Sequence, residues 1–264
     1  MMKNYETLKY HQKEDVMEVV LNRPDIHNAF NETMIEEIRQ FFISINEMTS
    51  VRVVVVRGEG KSFCAGADLN WMRDVSTYSY EQNLRESENL SACFYAIYTC
   101  QKPTIAIVHG AAIGGANCVL AACDIAVADD DAEFSLSEVK IGIVPACISP
   151  YIVKRIGESK SREMMITGQR FSGKVAKKIG LVNFSGNQEE VNNYVQKTID
   201  SIRTSGPVAI SMCKQLLYDL NNKWSFEEAK LKTAELIAQL RQSPEGQEGM
   251  DAFLNKRTPN WMKK

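Results

Sequence analysis

The 264-residue chain has little of the residues that most often announce a chemistry. Histidine occurs three times, at positions 11, 27 and 109, and no H-E-x-x-H or similar metal spacing results. A zinc hydrolase is therefore not expected. The seven cysteines (64, 93, 100, 118, 123, 147 and 213) are odd in number, and none pairs as C-x-x-C. Most have apolar or small neighbours, as in "FCAG" and "LAACD", which reads as buried free thiols in a reducing compartment. Long hydrophobic runs are missing too. Apolar runs such as residues 53–56 and 104–108 are strand-length and far short of a membrane span. The net charge is −2 and no basic stripe is present, so a nucleic-acid partner has no electrostatic support. The opening stretch "MMKNYETLKYHQKED" lacks an apolar signal core and is too acidic for a typical transit peptide. The expected location is the cytoplasm, with no membrane partner. No P-loop, G-x-G-x-x-G fingerprint, internal repeat or low-complexity segment occurs.

What is present is an ordinary globular balance, 44% hydrophobic and 24% charged. The length allows one large domain, or a domain with an appendage. "VMEVVLNRP" reads as a strand ending in a turn at Pro24. After it, Met34, Ile35, Ile38, Phe41, Phe42 and Ile45 recur at helical spacing behind an N-cap candidate, Asn31. "VRVVVVRGEG" predicts a buried strand, residues 80–99 a long helix, "TIAIVHG" a strand, "ANCVLAAC" a short helix and "DIAVA" a strand. The alternation predicts an α/β core. Beyond about Asn187 the segments all read as helices, punctuated by "SGP", "NNKW" and "SP". This divides the chain into a core, 1–187, and a helical C-terminal subdomain, 188–264. That subdomain could cover the core, a neighbouring subunit or both.

Two loops follow predicted strands and are built from small residues, "KSFCAGADLNWM" (61–72) and "IGGANC" (113–118). In α/β sheets such exits often gather in one crevice. Small residues let a ligand approach the main chain, and two peptide N–H groups can then meet on one oxygen. The short helix after Gly115 adds the positive end of its dipole. The alternative is that the glycines serve only close packing of strand on helix. "AEFSLSEVKIGIVP" carries one acid, Glu138, in small and apolar surroundings that should raise its pKa and suit acid–base work. Ser135-x-x-Glu138 also fits a capping box, and the residues alone leave these two readings open. Asp124, Asp129, Asp130 and Asp131 bracket a strand and read as turn residues.

Taken together, five segments in order resemble the crotonase (enoyl-CoA hydratase/isomerase) family. They are "LNRPDIHNAF", "KSFCAGADLNWM", "HGAAIGGANCVLAACDIAVA", "FSLSEVKIGIVP" and "SPEGQEGMDAFLNKRTPNW". The resemblance implies a spiral of ββα units with a helical C-terminal trimerisation subdomain, assembled as homotrimers or as hexamers (dimers of trimers). It implies an acyl-CoA thioester substrate, coenzyme A being part of that substrate, and no metal or redox cofactor. By position it assigns the thioester oxygen to the N–H groups of Ala67 and Gly115 and the acid–base role to Glu138. Ala65, Asp68, Leu69, Asn70 and Gly114 would lie along the CoA ester, with His27 and Ala29 of "HNA" near the adenine end. Two-glutamate hydratases of the family carry a second acid where this chain has Cys118.

"CAGADLNWM" and "SEVKIGIVPACISPYIVKRIG" look most like bacterial hydratases of branched, carboxylated enoyl-CoAs, the methylglutaconyl-CoA type of leucine breakdown. Lys140, Lys154 and Arg155 are the cations that could meet an extra substrate carboxylate; the alternative is that they are ordinary cationic surface residues. Hydration of an enoyl-CoA is the expected reaction. The alternatives are a Δ3,Δ2-enoyl-CoA isomerase using one glutamate, or an acyl-CoA-binding protein without turnover. A free thiol at 118, with no cation or histidine beside it, cannot replace a carboxylate.

Overall fold

The computed structural model describes residues 3–262. Its strands are β1 (Leu8–Lys13), β2 (Val16–Leu21), β3 (Val53–Gly58), β4 (Thr104–Val108), β5 (Ala111–Ile113), β6 (Ile125–Asp129), β7 (Glu133–Ser135), β8 (Phe171–Ser172) and β9 (Phe184–Gly186). They form a six-stranded sheet in the order β1-β2-β3-β4-β6-β9 and a three-stranded sheet in the order β5-β7-β8. Only the β1–β2 hairpin is antiparallel in the larger sheet, where Leu8 faces Leu21 and Lys13 faces Val16. From β2 onward the strands run parallel.

The helices are α1 (Glu32–Ser44), α2 (Leu69–Val75), α3 (Tyr80–Tyr98), α4 (Ala116–Ala122), α5 (Ser149–Thr167), α6 (Gly173–Ile179), α7 (Gln188–Arg203), α8 (Pro207–Asn222), α9 (Phe226–Gln242) and α10 (Pro244–Leu254). Asn31 caps α1, accepting from the Met34 N–H at 3.0 Å, and the predicted apolar stripe of α1 is buried. Capping boxes start α3 at Ser79/Gln82, α7 at Asn187/Glu190 and α9 at Ser225/Glu228. α5 is broken at Gly157 (φ +74°).

The valine run of β3 is continuous because both sheet faces are covered. Val54 and Val56 join the main core, which holds Phe41 of α1 and Phe94 of α3. Val53 and Val55 point the other way and pack with Ile105, Ile107 and Val127 against Val191, Val195 and Ile199 of α7. So α7 is the layer on the far face of the sheet. The expected division at 187/188 passes between that layer and the strands it covers, and α8 is itself tied to the core, through Lys214 to Asp124 and Tyr218 to Tyr95. Helices α8–α10 bury little within one chain: Phe226, Phe253 and Leu254 are each more than three-quarters exposed.

The chain winds as a spiral of strand, tight turn, strand and helix. β4 gives way to β5 and then α4, and β6 to β7 and then the turn that leads to α5. Successive turns stack through parallel pairing: Cys64 bridges Ala112, which pairs with Phe134. This stacking brings the two small-residue loops side by side.

Candidate active site

The first loop is held from outside. Asn28 is fully buried; its Oδ1 accepts from the Arg23 N–H, and its Nδ2 donates to the carbonyls of Glu59 and Ser62, all at 2.8 Å. The Phe30 N–H donates to Gly66 O at 2.7 Å, and the Asp68 N–H to Phe30 O at 2.8 Å. The Gly66 C=O and the Ala67 N–H belong to one planar trans peptide and point in opposite directions. The Gly66 C=O faces Phe30, so the Ala67 N–H faces away from it, and it has no acceptor among the described residues.

Gly66 has φ +100°, and a Cβ there would lie 3.3 Å from Ile113 O. The first loop thus rests on the main chain of the second. There the Gly114 N–H donates to Ser135 O at 2.8 Å. The next N–H, of Gly115, opens α4 and has no acceptor among the described residues, as expected of a helix N-terminus.

Glu138 begins the 3-10 turn Glu138–Ile141. Its carboxylate lies over Gly114: a Cβ on that glycine would be 3.1 Å from Oε1 and 3.8 Å from Cδ. Gly114 also has φ +55°, so both the backbone conformation and the carboxylate favour glycine there. Oε2 of Glu138 is buried with no hydrogen-bond partner among the described residues. Burial pushes the carboxyl above the usual range, opposed by its own backbone N–H, and no neighbouring charge contributes. The capping-box alternative fails, because the Ser135 hydroxyl donates to Gly168 O at 3.2 Å and the 3-10 turn has no side-chain cap.

Cys118 is fully buried on α4, and burial, reinforced by the nearby Cys93, Cys147 and Cys123, holds its thiol well above the ordinary value. It stays protonated at neutral pH. The other expected ligand residues separate into two groups. His27, Leu69 and Asn70 are exposed, Leu69 by 69%, and Ala65 is half-buried. Asp68 and Ala29 are buried and committed: Asp68 pairs with Arg23 at 2.8 Å and caps α2 through the Asn70 N–H, while Ala29 O accepts from the same arginine. Both therefore brace the first loop rather than offer a side chain.

Sequence reasoning passed over Asn117, the one amide side chain in "GGANCVLAAC", although a polar residue inside so apolar a run was a signal. It is fully buried, and its Nδ2 donates to the carbonyls of Ala112, Gly114 and Ser135 at 3.0, 3.1 and 2.9 Å.

Residues 11–264 match the family model described as Enoyl-CoA hydratase/isomerase. The chain belongs to that family. An enoyl-CoA hydratase structure from Shewanella pealeana is 36% identical, with a TM-score of 0.93 over 97% of this chain and 96% of that one. Pseudomonas aeruginosa AtuE is 31% identical, with a TM-score of 0.94 over 98% of this chain and 100% of its own. The peroxisomal Δ(3,5)-Δ(2,4)-dienoyl-CoA isomerase of Arabidopsis thaliana is 32% identical over 99% of both chains. The fold is the crotonase fold expected from the sequence, and the family makes this an acyl-CoA-processing enzyme. Both hydratase and isomerase names stand among the relatives. Among the described residues no helix is long and apolar enough to cross a membrane.

Proposed function

We propose that the protein hydrates an α,β-unsaturated enoyl-CoA, with Glu138 as the single acid–base group and the N–H groups of Ala67 and Gly115 as the oxyanion hole. The observation that carries this reading is the Glu138 carboxylate. The residue is half-buried, with Oε2 buried and unpartnered, and it is set over Gly114, next to the free Gly115 donor. A raised carboxyl pKa brings the group closer to the working pH, where one carboxylate can both accept and return a proton.

In the forward step Glu138 takes a proton from water as the water oxygen bonds to C3. The C2–C3 π pair moves toward the thioester, whose oxygen becomes an enolate held by the two N–H groups. Such donors strengthen as charge develops, each contributing roughly 2.7–4 kcal/mol in the transition state. Protonated Glu138 then gives the same proton to C2. Cys118 takes no part, because its thiol is fully buried and stays protonated.

A branched or carboxylated acyl chain is the finer part of the proposal. Of the cations considered, Arg155 is spent on the carbonyls of Leu181, Ala121 and Cys123 and on Asn183 Oδ1, and Lys154 donates to Asn221 O. Lys140, two residues after Glu138 and exposed, is the remaining partner for a substrate carboxylate. A second reading, Δ3,Δ2-isomerisation, is favoured by the lone carboxylate, which could move a proton between C2 and C4.

A panel of straight, branched and carboxylated enoyl-CoAs assayed in H2-18O separates the readings. Loss of enoyl absorbance with label at C3 supports hydration. Double-bond migration without label supports the isomerase, and tight binding without reaction supports an acyl-CoA-binding role.

A further inference from the structure

We infer that Asn117 is a positioning residue that aims the Gly115 N–H and locks it in register with the segment carrying Glu138. The inference rests on the proposed reading of this site. The Gly115 N–H and the Gly114 C=O belong to one peptide group, which is planar, so fixing the direction of the carbonyl fixes that of the N–H. Asn117 holds the carbonyl twice: its main-chain N–H donates to Gly114 O at 3.0 Å and its Nδ2 at 3.1 Å. Hydrogen bonds accepted at the oxygen also polarise the peptide and make its N–H a stronger donor.

The same Nδ2 reaches Ser135 O at 2.9 Å, three residues before Glu138, and Ala112 O at 3.0 Å. One amide therefore ties the strand that enters the second loop, the loop itself and the approach to the acid. Its orientation is unambiguous, since the flipped amide would set Oδ1 against three carbonyls. Oδ1 is buried without a hydrogen-bond partner among the described residues. Leaving a buried acceptor unpaired is costly, and the side chain keeps this arrangement with every donor turned toward the loop.

The test compares Asn117→Ala, Asn117→Ser and Val119→Ala. Val119 is a buried α4 neighbour and serves as the packing control. Steady-state kinetics on the best enoyl-CoA are read beside the fraction of bound acetoacetyl-CoA present as its enolate, seen by its near-ultraviolet absorbance at fixed pH. Removing an oxyanion donor outright costs about 10²–10³ in kcat. A donor that is present but loosened should cost about tenfold or more, with KM moving less than about threefold. Bound enolate should fall by a similar factor.

A serine hydroxyl on a helix can bond the carbonyl three residues back, so Asn117→Ser should recover at least about threefold over Asn117→Ala in both readouts. Val119→Ala should lower the melting temperature and leave the enolate fraction unchanged. The assignment is overturned if Asn117→Ala matches wild type in kcat and enolate, if Val119→Ala reproduces its losses, or if neither Asn117 variant folds. If the wild-type protein neither turns over enoyl-CoA nor holds acetoacetyl-CoA as its enolate, the reading of the site fails, and the inference with it. If wild type does both and the Asn117 variants equal it, the inference alone fails.

Discussion

Gly114→Ala probes the geometry at the point where loop and acid meet. Two costs add. An L residue in the left-handed region that Gly114 occupies (φ +55°) is strained by roughly 1–2 kcal/mol. The new Cβ would also stand 3.1 Å from Glu138 Oε1, so the carboxylate must retreat by a few tenths of an ångström. The strain should lower the melting temperature by about 2–8 °C, at roughly 2–4 °C per kcal/mol for a chain of this size. A 1 Å misplacement costs on the order of 10²-fold in rate. The smaller retreat should lower kcat by roughly three- to thirtyfold, with KM nearly unchanged. Thermal melts and steady-state kinetics measure both. Pairing the substitution with Glu138→Gln then asks whether its kinetic cost runs through the carboxylate, in which case the two losses are not additive. A variant that melts with wild type and keeps its kcat would refute the reasoning, and additive losses would refute the route through Glu138.

Gly115 should behave differently, because a Cβ there would point at the Phe30 ring, 3.4 Å away, and not at the crevice. Gly115→Ala should fold and keep activity within about threefold, while Gly115→Leu should lose roughly 1–3 kcal/mol of stability from overpacking; denaturant melts and kcat check both. Cys118→Ala should keep at least about a third of kcat/KM, a difference under 1 kcal/mol. Mass mapping after brief alkylation should find exposed Cys213 labelled before buried Cys118. Stability should also report Glu138 through pH. A carboxyl whose folded pKa is raised favours the folded state below its unfolded value and loses that contribution as pH rises through the folded value. Wild type should therefore gain on Glu138→Gln as pH falls from neutral into the carboxylate range, read from paired melts; a gap that widens against wild type would contradict the burial.

Much of the fold was legible because local signals and tertiary demands agree. The stripe Met34–Ile35–Ile38–Phe41–Phe42, its Asn31 cap and the valines of β3 each have one physical reading, and the structure uses it. The placement of α7 was not legible. Its polar face resembles those of α8–α10, and only the pairing of β3, β4 and β6 reveals an apolar sheet face for Val191, Val195 and Ile199 to cover. At the site, the residue types of both loops and Glu138 stand out in the sequence, but their meeting does not. It depends on the Cys64–Ala112 bridge and on Gly66 resting against Ile113. The capping-box ambiguity at Glu138 was beyond sequence reasoning for a similar reason, since Ser135 finds its partner at Gly168, far along the chain. Asp68 was placed along the CoA ester only by its position in the family resemblance, and only the structure shows Arg23 reaching across to it.

The central claim is that one carboxylate does the proton chemistry while two main-chain donors bind and polarise the thioester. Glu138→Gln tests it most directly, with kcat and the dissociation constant for a non-reactive acyl-CoA thioester measured on the same preparation. General acid–base catalysis contributes typically 10²–10⁴-fold. The account predicts a fall in kcat of about that size, with thioester affinity within about threefold of wild type, because the Ala67 and Gly115 N–H groups are untouched. A folded Glu138→Gln protein that turns over enoyl-CoA at close to the wild-type rate would contradict it.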